Sequence, residues 1–387
     1  MTKCIRTGMS ALACSPLPTE RVIAVANCAA LRGGQPSCEE ANCAHPRNSS
    51  TPPLKFTTAN IVRFAYHGQR LIRHGSGSLM WTGPLVALLS HVQTRTHGLH
   101  GAVGEIGVHH GMFAIAVAHQ ARRGEGVLAA DLFGGLQRLN VDSSGRGDLG
   151  IFLRNTARFG VGRDALDLRV GLSTSLPLHY PQPLRLFSVD GGHTEAITVS
   201  DLSWASCNAI DGGIIMLDDF RHPDWPGVEA GVRRHLQCGS SRPLTPFANV
   251  EGKLYFSTSS HHASQYQRAL MRSTFFGRRL KYATVFGHRV LSPSERARRE
   301  TTEAKLTGEW HRLVLQTAAP GERLARHPAR LANARSKARR AAVGVAPTWS
   351  MRLGAEAAIA KWLPPAALAW VQEGVLWSMD TVWPQTR

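Results

Sequence analysis

The chain has 387 residues, 43% hydrophobic and 19% charged, with 45 Lys and Arg against 27 Asp and Glu for a formal net charge of +18. That apolar content excludes a solvated, disordered polymer, and the length allows one large domain with extensions or two domains. No stretch reaches the roughly 18 uncharged apolar residues of a membrane span, so no integral membrane protein is expected.

Residues 1–55 show no sustained period and end in a breaker cluster from His45 to Pro53, which reads as a linker after a poorly ordered N-terminal extension. Five of the seven cysteines lie in this segment without paired spacing, so neither a disulfide framework nor a zinc site is expected. Basic residues dominate the first 35 positions without a secretory apolar core. The leader is weakly transit-peptide-like, and an intracellular protein is expected. From 60 to 99 apolar positions recur at helical spacing in two pieces, split by Gly75-Ser76-Gly77-Ser78.

From Gly101 the pattern changes. Apolar runs at 102–106, 127–130, 185–189 and 213–217 alternate with helical stretches at 112–122 and 195–207. Strand, helix, strand at this spacing predicts βαβ units and a parallel sheet covered on both faces. Runs at 247–250 and 253–257 are separated by Glu251-Gly252, which predicts an antiparallel pair. The expected domain is 56–290. Residues 291–387 form a basic, partly helical extension, in which 291–340 carry 12 basic and 5 acidic side chains. A solvated extension is the favoured reading, and contact with nucleic acid is the alternative.

Two clusters carry chemistry. Gly104-Glu105-Ile106-Gly107 with Gly111 joins the first strand to a helix, and Asp131 ends the second strand. Glycines there let the backbone approach a ligand, and a strand-end carboxylate accepts ribose hydroxyls. The Gly-x-Gly-x-x-Gly spacing that admits a pyrophosphate is absent, and Glu105 would repel one; the carboxylate suits a nucleoside ligand bearing an ammonium group. In the second cluster, Asp190 ends one strand and Asp218 and Asp219 end the next. Like charges meeting at one rim are costly, and a hard divalent cation, Mg²⁺ best on chemistry, would relieve them. The alternative is that some of these acids cap helices or pair with a cation such as Arg221. His193 at the same rim is a candidate general base, or else a helix cap.

These motifs resemble the class I S-adenosylmethionine-dependent methyltransferases, in particular the branch of metal-dependent sugar O-methyltransferases. The resemblance rests on Val103-Gly104-Glu105-Ile106-Gly107 with Gly111, Asp131-Leu132-Phe133, the run from Asn140 to Asp148, Val189-Asp190-Gly191-Gly192-His193, the run from Gly212 to Phe220, Pro223-Asp224-Trp225-Pro226-Gly227, and the strand pair Pro246-Phe247-Ala248 and Lys253-Leu254-Tyr255-Phe256. It implies a Rossmann-like, doubly wound sheet of seven strands with the last strand antiparallel and helices on both faces. It implies S-adenosylmethionine contacts at Glu105, Gly107, Gly111 and Asp131, with Asp190, Asp218 and Asp219 holding Mg²⁺. The activity implied is O-methylation of a hydroxylated, sugar-like small molecule. Relatives often carry a second acid two residues after the first as base; Gly192 stands there, leaving His193 as the substitute. A nicotinamide-dependent oxidoreductase and an RNA methyltransferase docking through the basic tail remain alternatives.

Overall fold

The computed structural model describes residues 64, 72, 79, 81–237 and 242–317. The chain divides into a unit 1–323 and a unit 324–387; the second lies outside the described residues. So do the N-terminal extension expected at 1–55 and residues 318–340 of the basic stretch.

Helix α1 (Thr82–His91) precedes the sheet. Then follow β1 (Ala102–Ile106), α2 (Met112–Ala118), β2 (Val127–Asp131), α3 (Leu149–Arg158) and β3 (Leu166–Val170). The second half runs β4 (Leu184–Val189), α4 (Glu195–Asn208), β5 (Ala209–Leu217), α5 (Pro226–Gln237), β6 (Thr245–Val250), β7 (Lys253–Ser257) and α6 (Ser260–Arg272). A hairpin of β8 (Leu280–Val285) and β9 (His288–Pro293), α7 (Glu295–Glu300) and α8 (Glu303–Thr317) follow.

The strands form one sheet in the order β3-β2-β1-β4-β5-β7-β6-β9-β8. The first five are parallel, and β7 lies antiparallel between β5 and β6. The doubly wound class is as the sequence implied, but the sheet has nine strands among the described residues rather than seven. The β8–β9 hairpin adds to the β6 edge, β9 running parallel to β6. Its sequence carries Lys281, Tyr282, Arg289 and other exposed residues, so one face lacks the apolar run that marks the central strands.

The strand side chains alternate between two cores. Ile214, Met216 and Tyr255 enter the layer under α1, α2 and α6, whereas Ile215, Leu217 and Phe256 enter the layer under α4 and α5. The Glu251-Gly252 turn has positive φ at both positions, 52° and 77°, matching the right-handed twist of the β6–β7 pair. The boundary expected at residue 290 falls inside β9. Helix α8 packs on α1, and its Trp310 is 4% exposed in the same core as Phe64. Cys207 is disulfide-bonded, a pairing the sequence reading did not anticipate. No helix among the described residues is long and apolar enough to cross a membrane.

Candidate active site

In the order β3-β2-β1-β4-β5 the chain reverses direction of progress between β1 and β4. Parallel strands open a crevice beyond their carboxyl ends at such a point. A cleft of about 630 Å³ lies there, and Glu105, Gly107, Asp131, Asp190, His193, Asp218 and Asp219 all line it. Gly111 does not. It holds a left-handed φ of 92° as the residue entering α2, so its role is in the turn.

The side expected from sequence to hold a cofactor is built on the β1 turn. Glu105 is 1% exposed, and its Oε1 has no hydrogen-bond partner among the described residues. Burial pushes this carboxyl up to about 8, against the partial pull of the Lys253 ammonium. Asp131 Oδ2 accepts from the His109 backbone N–H at 2.7 Å, tying the end of β2 to the loop after β1. His109 carries a positive φ of 46°.

The three strand-end acids converge as expected, but they are not equivalent. Asp218 Oδ2 accepts from Lys253 Nζ, and Lys253 also sits over the Phe113 ring at 4.1 Å. Burial would raise the Asp218 carboxyl, yet the ammonium outweighs it and holds the group below the usual range. Asp190 is pushed well up, first by burial and then by the charge of Asp218, to which it is hydrogen-bonded. Arg221, the cation suggested by sequence, pairs instead with Glu229 at 3.3 Å. Lys253 is the site residue that sequence reasoning missed. Its signal was a lone ammonium opening the otherwise apolar strand Lys253-Leu254-Tyr255-Phe256.

Asp219 follows Asp218 with a positive φ of 54°, a conformation that costs energy for a side chain with a β-carbon and clusters at functional sites. That turn aims Asp219 Oδ2 at His193 Nε2, 2.8 Å away. On the other edge of the ring, Nδ1 lies 3.1 Å from Asp142 Oδ2. Trp225 stacks on its face at 4.3 Å and 20°. Burial alone would favour the neutral ring, but the two carboxylates outweigh it and raise the His193 pKa. Helix α4 is capped by Thr194, whose hydroxyl accepts from Ile197 N, so His193 is not the cap.

Ligand atoms of Asp190, His193 and Asp219 all lie within 4.8 Å of one another. Such spacing, with Glu105, Asp190 and Asp218 around the one Lys253 ammonium, suits a divalent cation. The unsatisfied Glu105 oxygen and the glycine turn beside it suit a cationic amino-acid moiety.

Residues 105–220 match the family model described as "Methyltransferase domain". The match bears out the resemblance to the class I S-adenosylmethionine-dependent methyltransferases, and it contains every sequence-nominated site residue. None of the curated proteins compared matches the chain. Among solved structures, the O-methyltransferase NovP is 16% identical with a TM-score of 0.40, covering 52% of this chain and 97% of its own. An O-methyltransferase from Bacillus cereus in complex with SAH is 14% identical with a TM-score of 0.37, covering 51% and 90%. CalS11, a TDP-rhamnose 3'-O-methyltransferase, is 15% identical with a TM-score of 0.34, covering 52% and 92%.

Proposed function

We propose that this methyltransferase domain uses S-adenosylmethionine to methylate a hydroxyl of a small, sugar-like acceptor. The observation that carries the reading is the single cleft joining the Glu105–Asp131 side to the His193–Asp190–Asp219 side. Glu105 and Gly107 would receive the methionine end of the cofactor and Asp131 its ribose. The cofactor when bound supplies an electrophilic methyl group on a sulfonium.

His193 takes the proton from the acceptor hydroxyl at Nε2 once Asp219, now 2.8 Å from that nitrogen, turns to the cation, while Asp142 holds the opposite edge. The oxygen so freed would be the acceptor of that methyl group. Asp190 and Asp219 would hold a divalent cation such as Mg²⁺, with Asp218 shared between that cation and Lys253. A cation there would supply Lewis-acid help in lowering the pKa of the acceptor hydroxyl. Trp225 and the His193 ring exclude water from one wall. The rest of the domain's contribution is positioning.

Calorimetric titration of the full chain with S-adenosylmethionine and, separately, with NAD tests the cofactor. We expect binding of the former, and Asp131→Ala to weaken it by about 1.5–3 kcal/mol through lost hydrogen bonds to a charged group. Tight NAD binding, or an unaffected Asp131→Ala, overturns the cofactor assignment. Turnover on hydroxylated sugars by wild type and His193→Gln then tests the base.

A further inference from the structure

From Gly252 to Ser294 the sequence holds seven Lys and Arg and no Asp or Glu. Lys253 is taken by Asp218 in the cleft. The other six lie on α6, on the loop after it and on the β8–β9 hairpin, at the edge of the sheet where β8 has one neighbour. Arg279 covers the Phe275 ring at 4.3 Å. Arg268, Arg272, Arg278, Lys281 and Arg289 are exposed, and none of them forms an ion pair among the described residues. The adjoining helix differs. On α7, Arg296 pairs with Glu300 at 2.7 Å and Arg299 with Glu295 at 3.6 Å. Interspersed signs are the ordinary composition of a solvated face, and the α6–β9 face lacks them.

The basic side chains and the exposed apolar ones meet on this face. Gln267 Nε2 donates to the Phe247 carbonyl at 3.0 Å and to the Arg289 carbonyl at 2.6 Å, which lays α6 beside β9. Arg268 and Arg272, one turn apart, are exposed on α6, whereas Ala263, Tyr266 and Leu270 are buried beneath it. Tyr282 is the cross-strand partner of Leu291, which enters the core under α6, so Tyr282 stands on the α6 side of the hairpin. Arg289 precedes Leu291 by two residues and shares that side, and its guanidinium lies over the Tyr282 ring at 4.0 Å. The Tyr282 side is not closed over: the residue is 44% exposed, and Met271, one turn after Gln267, is 37% exposed.

We infer that the face formed by α6 and the β8–β9 hairpin docks single-stranded nucleic acid, with phosphates at Arg268, Arg272 and Arg289 and a base stacked on the Arg289–Tyr282 pair. Cations without acidic partners gain most from a row of phosphates, because neutralising them releases counterions. The stacked guanidinium and phenol give a base a flat surface, and an unpaired base has a free face to offer it. Strand β8, at about 3.4 Å per residue, is about 20 Å long, room for several nucleotides. The inference goes beyond the chemistry of the cleft and needs no methyl transfer.

Fluorescence anisotropy of the full chain with a labelled, mixed-sequence single-stranded RNA of about 16 nucleotides tests it. Affinity should fall steeply between about 50 and 200 mM salt. Arg268→Ala combined with Arg289→Ala should make the slope of log affinity against log salt shallower by about 1.4, two phosphate contacts at about 0.7 each. Tyr282→Ala leaves every charge in place and should weaken binding about fivefold or more with the slope unchanged. Wild type supplies a check without any substitution, since photo-crosslinking to thiouridine-substituted RNA should label peptides within residues 268–289. Cross-links confined to residues 324–387, or a wild-type slope in the folded double variant, would assign the binding to the C-terminal unit and overturn the proposal. It is overturned equally by unchanged affinity in Tyr282→Ala, by equal affinity for a duplex of the same length, or by no RNA binding of wild type at about 50 mM salt. If the double variant loses binding to phosphatidylserine vesicles and keeps binding to RNA, the face contacts membranes and the proposal fails.

Discussion

Gly107 passes so close to Asp190 that a β-carbon there would lie 1.6 Å from the Asp190 carbonyl oxygen. The contact locks the turn after β1 to the end of β4, where Asp190 N donates to the Ile106 carbonyl at 2.8 Å. Gly107 also holds φ at 83°, which side chains disfavour. Gly107→Ala must therefore move backbone on both sides of the cleft. A loss of about 2–4 kcal/mol in urea unfolding is expected, with loss of cofactor binding in the fraction that folds. Wild-type stability and binding would show that the two strand ends are not in contact.

The Lys253–Asp218 pair gives a second expectation. The Lys253 side chain is 6% exposed and Asp218 25%. Removing one partner leaves an uncompensated charge, which costs about 3–5 kcal/mol in buried pairs; the exposure of Asp218 places Lys253→Met at the lower end, about 3 kcal/mol. Lys253→Met with Asp218→Asn should recover more than half of that loss. Denaturant midpoints of the three variants decide it. A cost under about 1 kcal/mol for Lys253→Met is what a solvent-screened pair would give.

The third expectation concerns the domain end. The Trp310 ring fills the space beside Gly83, where a β-carbon would approach it to 2.4 Å, and packs edge-on against Phe64 at 5.7 Å. A fragment ending at residue 290 cuts β9 and removes Trp310 together with Leu306 and Leu313 of the core. It should be insoluble or melt far below a fragment ending at 320. Equal melting temperatures would show that α8 contributes nothing to the core.

Cation binding is measurable without an acceptor. Asp190→Asn should weaken Mn²⁺ binding, read by electron paramagnetic resonance, by about tenfold or more while S-adenosylmethionine affinity stays within about threefold. Metal-free wild type with full turnover would remove the cation from the mechanism.

Stability should fall with acid through two buried histidines. His119 donates or accepts at Nε2 with the Phe159 carbonyl at 2.9 Å, and His235 lies 3.3 Å from Ser203 Oγ. Burial lowers each from 6.5 to about 4. The unfolded chain then binds protons that the folded chain refuses between pH 6.5 and 4. Their contribution is full above pH 6.5 and is lost on the way down, about 2 kcal/mol per residue between pH 7 and 5. Asp201 pulls the other way, since burial pushes its carboxyl up to about 7. The measurement is therefore the difference in pH slope between wild type and His119→Gln. Parallel slopes would mean that His119 titrates alike in both states.

Much of the site was legible because local rules write it into short segments. Apolar runs ending in Asp131, Asp190 and Asp218 place acids at strand ends, and parallel strands bring those ends to one rim. The glycines at 104, 107 and 111 mark the turn between β1 and α2 for the same reason. The β6–β7 hairpin was readable from Glu251-Gly252, since only a turn with positive φ joins such strands so tightly.

What tertiary structure decided is how those groups are paired. Asp142 meets His193 across 51 residues and Lys253 meets Asp218 across 35, and neither approach leaves any period in the sequence. Lys253 reads as an ordinary strand residue until β7 inserts beside β5 and sets Leu254 against Leu217. The β8–β9 hairpin was likewise invisible, and helix was expected after residue 291 only as part of a solvated extension, because half-exposed strands and a mixed-charge helix show no packed face until a partner covers their few apolar residues. Sequence fixes which charges exist and on which strand ends they stand. Only packing, by excluding water and bringing an ammonium or a carboxylate within hydrogen-bond reach, determines which of them keep a proton, which are neutralised, and which can take part in chemistry.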